Sequence, residues 1–102
     1  MAKGNIMLQA RRMQSQIQQL QEELSEQMFE GGAGGGLVKV VADGRQKVRK
    51  IDIDPEAIDP EDLAELADLV TAAVNMAISA SLSHSKAEMK KITGGLSLPG
   101  MI

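Results

Sequence analysis

Glycines crowd one stretch of this 102-residue chain, and a glycine-rich loop is one way to bind a phosphate group. Six of the ten glycines fall within FEGGAGGGLVKVVADG, residues 29–44. A phosphate loop follows a strand and opens a helix, whereas here a helical pattern precedes the glycines and a strand pattern follows them. The motif G-x-x-x-x-G-K-[ST] is also missing. We therefore interpret residues 29–36 as a glycine-rich joint that contains a possible short strand.

Few residues have the types and spacing needed for catalysis. His84 is the only histidine, and the chain has no cysteine. Ser83 and Ser85 flank His84 on a predicted helix, where adjacent side chains point apart, so we expect His84 to be an exposed helix residue. The eight acidic residues between positions 52 and 68 are interpreted as favourable charges around a helix N-terminus rather than as metal ligands. We expect no enzyme activity, no cofactor, no metal site and no small-molecule substrate.

Basic residues are clustered, although the formal net charge is −3. Such clusters bind polyanions even when the total charge is negative. The candidate DNA-binding residues form one set near the N-terminus, one in the middle of the chain and one near the C-terminus: Lys3, Arg11 and Arg12; Arg45, Lys47, Arg49 and Lys50; and Lys86, Lys90 and Lys91. For the middle set, salt bridges to the acidic block at residues 52–68 are an equally good explanation.

The elements that carry these residues begin with a helix over residues 5–28. Its apolar residues recur at alternating steps of four and three, which is the narrow stripe of a coiled coil: Ile6, Ala10, Met13, Ile17, Leu20 and Leu24. So thin a stripe favours contact with a second molecule. Packing against the second helix of the same chain is the alternative.

Residues 37–54 are predicted to form a β-hairpin. Asp43-Gly44 is a strong signal for a two-residue type I′ turn. That turn would pair Ala42 with Arg45, Val40 with Lys47 and Val38 with Arg49. Val38, Val40, Ala42, Ile51 and Ile53 would then share one face, with Val48 on the other.

The second helix is predicted over residues 60–93, followed by a tail at 94–102. Asp59 is a good N-cap and Pro60 suits the first helical position. The helix is apolar nearly all round, and the chain has a single aromatic residue, so we expect two copies to share one core. The candidate core and dimer residues are Met13, Ile17, Leu20, Leu24, Val38, Val40, Leu66, Val70 and Val74. Residues 69–85 lack charge but include polar groups such as Asn75, which favours a packed helix over a membrane span.

Four segments in this order resemble the YbaB/EbfC family of bacterial nucleoid-associated proteins. They are EGGAGGGLVKVVADG, IDIDPEAID, LADLVTAAVNMA and ITGGLSLPGM, and together they extend over nearly the whole chain. The resemblance implies an α+β subunit with a long N-terminal helix, a small three-stranded antiparallel sheet and a long C-terminal helix. It also implies an intertwined homodimer with projecting helix pairs, DNA binding, gene regulation, and a place in the cytoplasm and nucleoid. Arg49 departs from the pattern, because an apolar residue is expected in that strand.

The expected function follows from the clusters and the resemblance together. An antiparallel pairing of the two helices would bring the basic sets at the two chain ends together, and a homodimer would present them twice. We expect DNA to be held mainly through its phosphates, with low sequence preference, because no recognition helix is evident. The alternative is a dimeric protein-binding adaptor without DNA contact, which the net negative charge favours.

Overall fold

The computed structural model describes the backbone of residues 2–94 and the side chains of residues 5–94. Two helices flank a three-stranded antiparallel sheet, in the strand order β1-β2-β3. This arrangement confirms the predicted α+β class. The elements are α1 (Ala2–Glu26), β1 (Met28–Ala33), β2 (Val38–Asp43), β3 (Val48–Ile53), a short 3-10 helix (Pro55–Ala57) and α2 (Leu63–Thr93).

The glycine-rich segment is more ordered than the predicted joint. Gly31 and Gly32 lie within β1, and the sharp turn into β2 is confined to residues 34–37, where Gly34, Gly35 and Gly36 have positive φ. Gly31 also lets α2 approach the sheet closely. A Cβ atom there would collide with the carbonyl oxygen of Ala73 and would lie 2.6 Å from the backbone nitrogen of Ala77.

The hairpin exists, but the predicted two-residue turn and its register are wrong. The N–H of Asp43 donates to the carbonyl of Lys47 at 2.8 Å, which leaves residues 44–46 as a three-residue loop. Gln46 takes the left-handed conformation (φ 63°) that such a loop requires at its third position. The longer loop moves the ladder, so that Ala42 pairs with Val48 instead of Arg45.

A β-bulge beyond this pair sets where Ile51 and Ile53 lie. The register shifts between Val41 and Ala42, so that Ala42 pairs with Val48 and Arg49 is skipped. The extra residue brings Ile51 opposite Val40 and Ile53 opposite Val38, on the face that they were predicted to share. Val48 shares the face of Ala42 because of the three-residue loop, which corrects its predicted place on the opposite face.

The second helix begins three residues later than predicted. Asp62, not Asp59, is its N-cap, and the Asp62 side chain accepts from the N–H of Glu65. Asp59 instead holds a separate turn, in which its side chain accepts from the N–H of Glu61 and its carbonyl from the N–H of Asp62. Both aspartates suit a cap, but the helical hydrogen bonds continue only from the second one. Gly94 ends the helix in the left-handed conformation.

α2 organises the core by burying every fourth residue along one stripe. Ala73 and Ala77 at its beginning pack against Val38, Val40 and Ala42 of β2. Near its end, Met89 packs against α1, where Leu20 and Leu24 are buried and Ile17 is half-buried. The remaining core candidates, Leu66, Val70, Val74 and Met13, are half-buried.

The second half of the apolar stripe of α1 packs against α2 of the same chain. Leu24 lies beside the hairpin turn, because its carbonyl accepts from the N–H of Gly44 at 2.8 Å. Leu20 and Ile17 follow along α2 toward Met89 and Ile92. The two helices are therefore antiparallel. For these residues the structure shows packing within one chain. The sequence favoured contact with a second molecule and left packing within the chain as the alternative.

One face of the subunit leaves a large apolar surface bare. β3 borders the α2 face of the sheet, yet its side chains Ile51 and Ile53 are 44% and 38% exposed. Met76 on α2 is 54% exposed. α2 is also long and apolar enough to span a membrane by length and composition alone. Its stripe of small residues nevertheless packs against the sheet.

Candidate nucleic-acid interface

The antiparallel helices place two of the three basic clusters along the same half of the molecule, which we call the helix tip (residues 5–16 of α1 and 86–93 of α2). Lys90 and Lys91 lie near the end of α2, whereas Lys86 follows Ser85, which bonds the hairpin turn. A cleft between the helices is lined by Gln16, Lys91 and Ile92, among others, and marks where α2 ends beside α1. Arg11 and Arg12 lie one turn further along α1 and are exposed. Lys3 lies in the first turn of α1, and its side chain is outside the described residues.

Most positive charges at the helix tip form no salt bridge within the described residues, although Glu23 and Glu88 also line the cleft between the helices. Lys91 pairs with Glu88 at 3.1 Å on the surface of α2. Within residues 5–94, no carboxylate lies within salt-bridge distance of Arg11, Arg12, Lys86 or Lys90, and all four side chains are exposed. An exposed cation without a partner is available to replace the counterions of a phosphate backbone.

The middle basic set is divided between paired and unpaired residues. Arg49 contacts Asp43 at 3.1 Å, and Lys50 contacts Asp52 at 3.5 Å. The predicted salt bridges to the acidic block therefore hold for Lys50, whereas Arg49 pairs with an aspartate of the hairpin itself. Arg45 and Lys47 are exposed and have no ion pair within the described part of the chain.

A buried polar network behind the hairpin turn explains why Arg49 departs from the apolar pattern. Asp43 is only 2% exposed, and its carboxylate accepts from the backbone N–H groups of Arg45 and Lys47 and from the Arg49 guanidinium. Burial disfavours the charged form, but these three donors outweigh burial and lower the pKa of Asp43 below its ordinary value. Arg49 is therefore a structural partner of a buried carboxylate.

The same turn is tied to α2 by side chains that sequence reasoning overlooked. The Gln46 amide donates to the hydroxyl oxygens of Ser81 and Ser85 at 3.0 and 3.2 Å, and Ser81 donates to the carbonyl of Asp43 at 2.5 Å. Two serines spaced by four residues within an otherwise apolar stripe were the available signal. Through these bonds α2 holds the turn beside the C-terminal part of α1.

His84 is half-buried, not exposed as predicted. Its ring packs against Phe29, with the ring centroids 5.1 Å apart, and its Nε2 lies 4.0 Å from Glu88. Among the described residues Nε2 has no hydrogen-bond partner. Among the same residues, no group of three or more histidine and acidic side chains is placed to hold a metal ion.

Comparison with known proteins places this geometry in a family. A nucleoid-associated protein of Clostridium novyi is 46% identical over 98 residues, covering 96% of this chain and 86% of its own. Another from Moorella thermoacetica is 54% identical over 86 residues, covering 84% and 83%. One from Myxococcus xanthus is 46% identical over 93 residues, covering 91% and 89%.

A solved structure shares the fold. The crystal structure of an uncharacterized protein from Helicobacter pylori matches with a TM-score of 0.75 at 22% identity, covering 83% of this chain and 89% of its own. Residues 1–96 also match the profile of the YbaB/EbfC DNA-binding family. The match extends from the first helix through the sheet to the end of α2, and the chain belongs to the YbaB/EbfC DNA-binding family.

Proposed function

We propose that this protein is a nucleoid-associated protein that binds DNA as a homodimer, mainly through phosphates and with low sequence preference. In this role it contributes to nucleoid organisation and gene regulation from the cytoplasm and nucleoid. The observation that carries the proposal is a set of exposed cations along the antiparallel helix pair: Arg11, Arg12, Lys86 and Lys90 have no acidic partner in the described residues.

The homodimer is supported by the bare apolar face. Ile51 and Ile53 pair with the buried residues Val40 and Val38, so they extend the core beyond the edge of the part that α2 covers. Exposed apolar area of this kind costs about 25 cal/mol per Å² while it remains in water. A second copy that packs its own α2 and β3 on this face would remove that cost. We propose that a second copy, rather than a membrane, covers this apolar face. A second copy leaves the exposed acidic residues beside the face in water.

Phosphate binding is the chemistry that these residues suit best. Lysine and arginine side chains on helix surfaces displace condensed counterions, so that affinity falls as salt rises. Sequence readout needs side chains that reach base edges from an element seated in a groove. The exposed polar residues around the stripe of α1 are glutamines that solvation explains equally well. We therefore expect shape and charge, not base identity, to govern binding.

A salt titration with matched double variants tests the proposal. We would measure binding to a labelled random-sequence duplex by fluorescence anisotropy at several salt concentrations, using Arg11→Glu/Arg12→Glu. The control, Arg45→Glu/Lys47→Glu, reverses two exposed and unpaired charges on the hairpin instead of the helix tip. Affinity should fall steeply with salt for the native protein, and the helix-tip variant should lose most of its binding. The hairpin control should bind more tightly than the helix-tip variant.

Other outcomes point elsewhere. Stronger loss in the hairpin control would move the DNA contact to Arg45 and Lys47. If the affinity for DNA does not change with salt, or if neither the native protein nor the variants bind the duplex, phosphate binding is rejected. Either result would favour a protein-binding adaptor. The observation that favours the adaptor is the acidic stretch at residues 59–65, whose side chains are all exposed.

A further inference from the structure

The apolar stripe of α1 is buried at one end and bare at the other. Leu24 and Leu20 are 1% and 7% exposed, whereas Ile6 at the start of the same stripe is 63% exposed. Between them Met13 is half-buried and Ala10 is exposed. The cause is a difference in length, because α2 ends at Thr93 beside Ile17 while α1 continues beyond it. The overhang from Gln16 to the start of α1 measures about 21 Å at 1.5 Å per residue.

The residues around the bare half of the stripe would accept another helix without charge repulsion. In the heptad set by Ile6, Ala10 and Met13, the flanking positions hold uncharged residues: Met7, Gln9, Gln14 and Gln16. Arg11 and Arg12 take two of the three positions that point away from the stripe, and Leu8 takes the third. Both cations of the overhang therefore lie away from its uncharged apolar stripe.

We propose that the N-terminal half of this stripe (Ile6, Ala10 and Met13, the tip stripe) binds the tip stripe of a second copy as an antiparallel helix pair. Residues 17–24 of the stripe pack on α2, which ends beside Ile17 and leaves the N-terminal half without a helix of its own chain. The same half of a second copy offers an apolar stripe of matching length and uncharged flanks. A two-fold axis at Ala10 would place Ile6 of each copy beside Met13 of the other, which makes the contact self-complementary. The small side chain of Ala10 lets the two backbones approach.

This contact is separate from the dimer face. The sheet packs on the first half of α2 around Ala73 and Ala77, whereas the tip stripe lies past the last residue of α2. The two surfaces therefore lie at opposite ends of a subunit whose long axis is 71 Å. Each copy can use both surfaces at once, and contacts between helix tips would join homodimers into larger assemblies.

The predicted contact is weak in solution and stronger on DNA. A pair of short overhangs buries less than the about 1,200 Å² of a stable interface. Copies bound to neighbouring DNA meet at a high effective concentration, which favours the pairing. Because Arg11 and Arg12 face away from the stripe, joined tips keep their cations for DNA and would bridge two duplexes. This bridging rests on the proposed function, whereas the self-association does not.

A single introduced cysteine provides a direct test, because the chain has none. In the full-length protein without DNA, oxidised Ala10→Cys should form a disulfide between copies near the two-fold axis. Leu8→Cys is the matched control, since Leu8 lies on the opposite face of the same turns and is 49% exposed. Under one redox buffer, Ala10→Cys should give linked chains whose native mass exceeds that of the homodimer. Equal linkage of the two variants, or linkage confined to the homodimer, would overturn the proposal.

A second pair of variants tests the contact without a covalent bond. Sedimentation velocity of the native protein should show a larger species that grows with concentration. Ile6→Lys should abolish this species, and Leu8→Lys, which adds the same charge on the other face, should retain it. A native sedimentation coefficient that stays constant with concentration would overturn the proposal. A larger species that appears only after deletion of residues 95–102 would also overturn the proposal. In that case residues 95–102 of the same chain cover the stripe.

Measurements of DNA binding on the same variants distinguish the tip contact from the proposed function. Both lysine variants should bind a single duplex at least as well as the native protein, but Ile6→Lys should lose capture of a second, differently labelled duplex. If the native protein self-associates and binds no duplex, the proposed function fails and the tip contact stands. If Ile6→Lys self-associates normally and loses single-duplex binding, the tip stripe contacts DNA and the inference fails.

Discussion

The carboxylate of Asp43 and the guanidinium of Arg49 lie 3.1 Å apart, with the aspartate almost fully buried and the arginine about half exposed. The pair lies where a β-bulge skips Arg49 in the ladder between β2 and β3. Arg49 is a candidate DNA-binding residue in the sequence, but here it pairs with an aspartate of the turn that orients α1 against α2. The hairpin therefore supports the helix tip structurally, whatever else its exposed cations contact.

Replacing Asp43 with asparagine should destabilise the subunit. The variant keeps the shape but places an amide donor opposite Arg49, and it weakens hydrogen bonds that are now made to a charge. We expect a loss of about 1–3 kcal/mol in the free energy of unfolding. Urea denaturation at one fixed protein concentration would measure the loss, because the stability of a dimer depends on concentration. An unchanged midpoint would show that this pair contributes nothing.

The pH dependence of that difference has a defined sign. Because the folded pKa of Asp43 is lowered, the ionised form stabilises the native state above the ordinary aspartate pKa of about 3.9. The contribution is lost as the pH falls through the lowered folded value. The gap in unfolding free energy between native and Asp43→Asn proteins should be constant near neutral pH and narrow in acid. A gap that widens in acid would contradict the lowered pKa.

Two substitutions at Gln46 should separate backbone strain from hydrogen bonding. Gln46→Ala removes the bonds to Ser81 and Ser85 and keeps a side chain at positive φ, whereas Gln46→Gly removes the same bonds and relieves the strain. Both variants should be less stable than the native protein. The glycine variant should exceed the alanine variant by about 1 kcal/mol. Thermal or urea unfolding would give the order, and equal stabilities would rule out strain at this position.

Gly31→Ala should disturb the contact between α2 and the sheet. The added methyl group would meet backbone atoms of Ala73 and Ala77, which cannot move without shifting the helix. We expect a loss of about 1–3 kcal/mol or more in unfolding free energy. Gly32→Ala is the matched control, since its Cβ would lie 3.6 Å from its nearest neighbour, the Val38 carbonyl oxygen. Similar losses in both variants would mean that strand propensity, not close approach, sets the effect.

The general architecture was predictable because it follows from local periodicity and strong helix and turn signals. The four-three spacing from Ile6 to Leu24 predicted α1, and alternating apolar residues around Asp43-Gly44 predicted the hairpin. What failed depended on tertiary contacts. The turn opened to three residues, with Gln46 in the position that its bonds to Ser81 and Ser85 support. Such bonds join positions 35 or more residues apart, which no local pattern encodes.

The basic residues show the same division. Their clustering was visible in the sequence, as was the idea that antiparallel helices would bring the clusters at the chain ends together. The sequence did not reveal which of these cations form ion pairs. The partner of Arg49 depends on a bulge, and the partner of Lys50 depends on the strand register. The overhang of α1 was also hidden, since it depends on where α2 ends relative to Ile17.

The bare face of β3 leads to a last prediction, about the homodimer. Ile51 lies on the α2 side of the sheet, opposite the buried Val40, and is 44% exposed in the isolated subunit. If a second copy covers this face, Ile51→Lys buries an unpaired charge in the interface and should convert dimers into monomers at micromolar concentration. Met28→Lys is the control, because Met28 is similarly exposed at 49% but lies on β1, the other edge strand of the sheet.

Light scattering on both variants would give the masses, and circular dichroism would verify that each remains folded. A folded monomer for Ile51→Lys beside a dimer for Met28→Lys would place the interface on β3. Two dimers would move the interface elsewhere on the subunit. A monomeric native protein would remove the doubled set of cations, and the steep salt dependence expected of the DNA complex would then weaken, since fewer phosphates could be contacted at once.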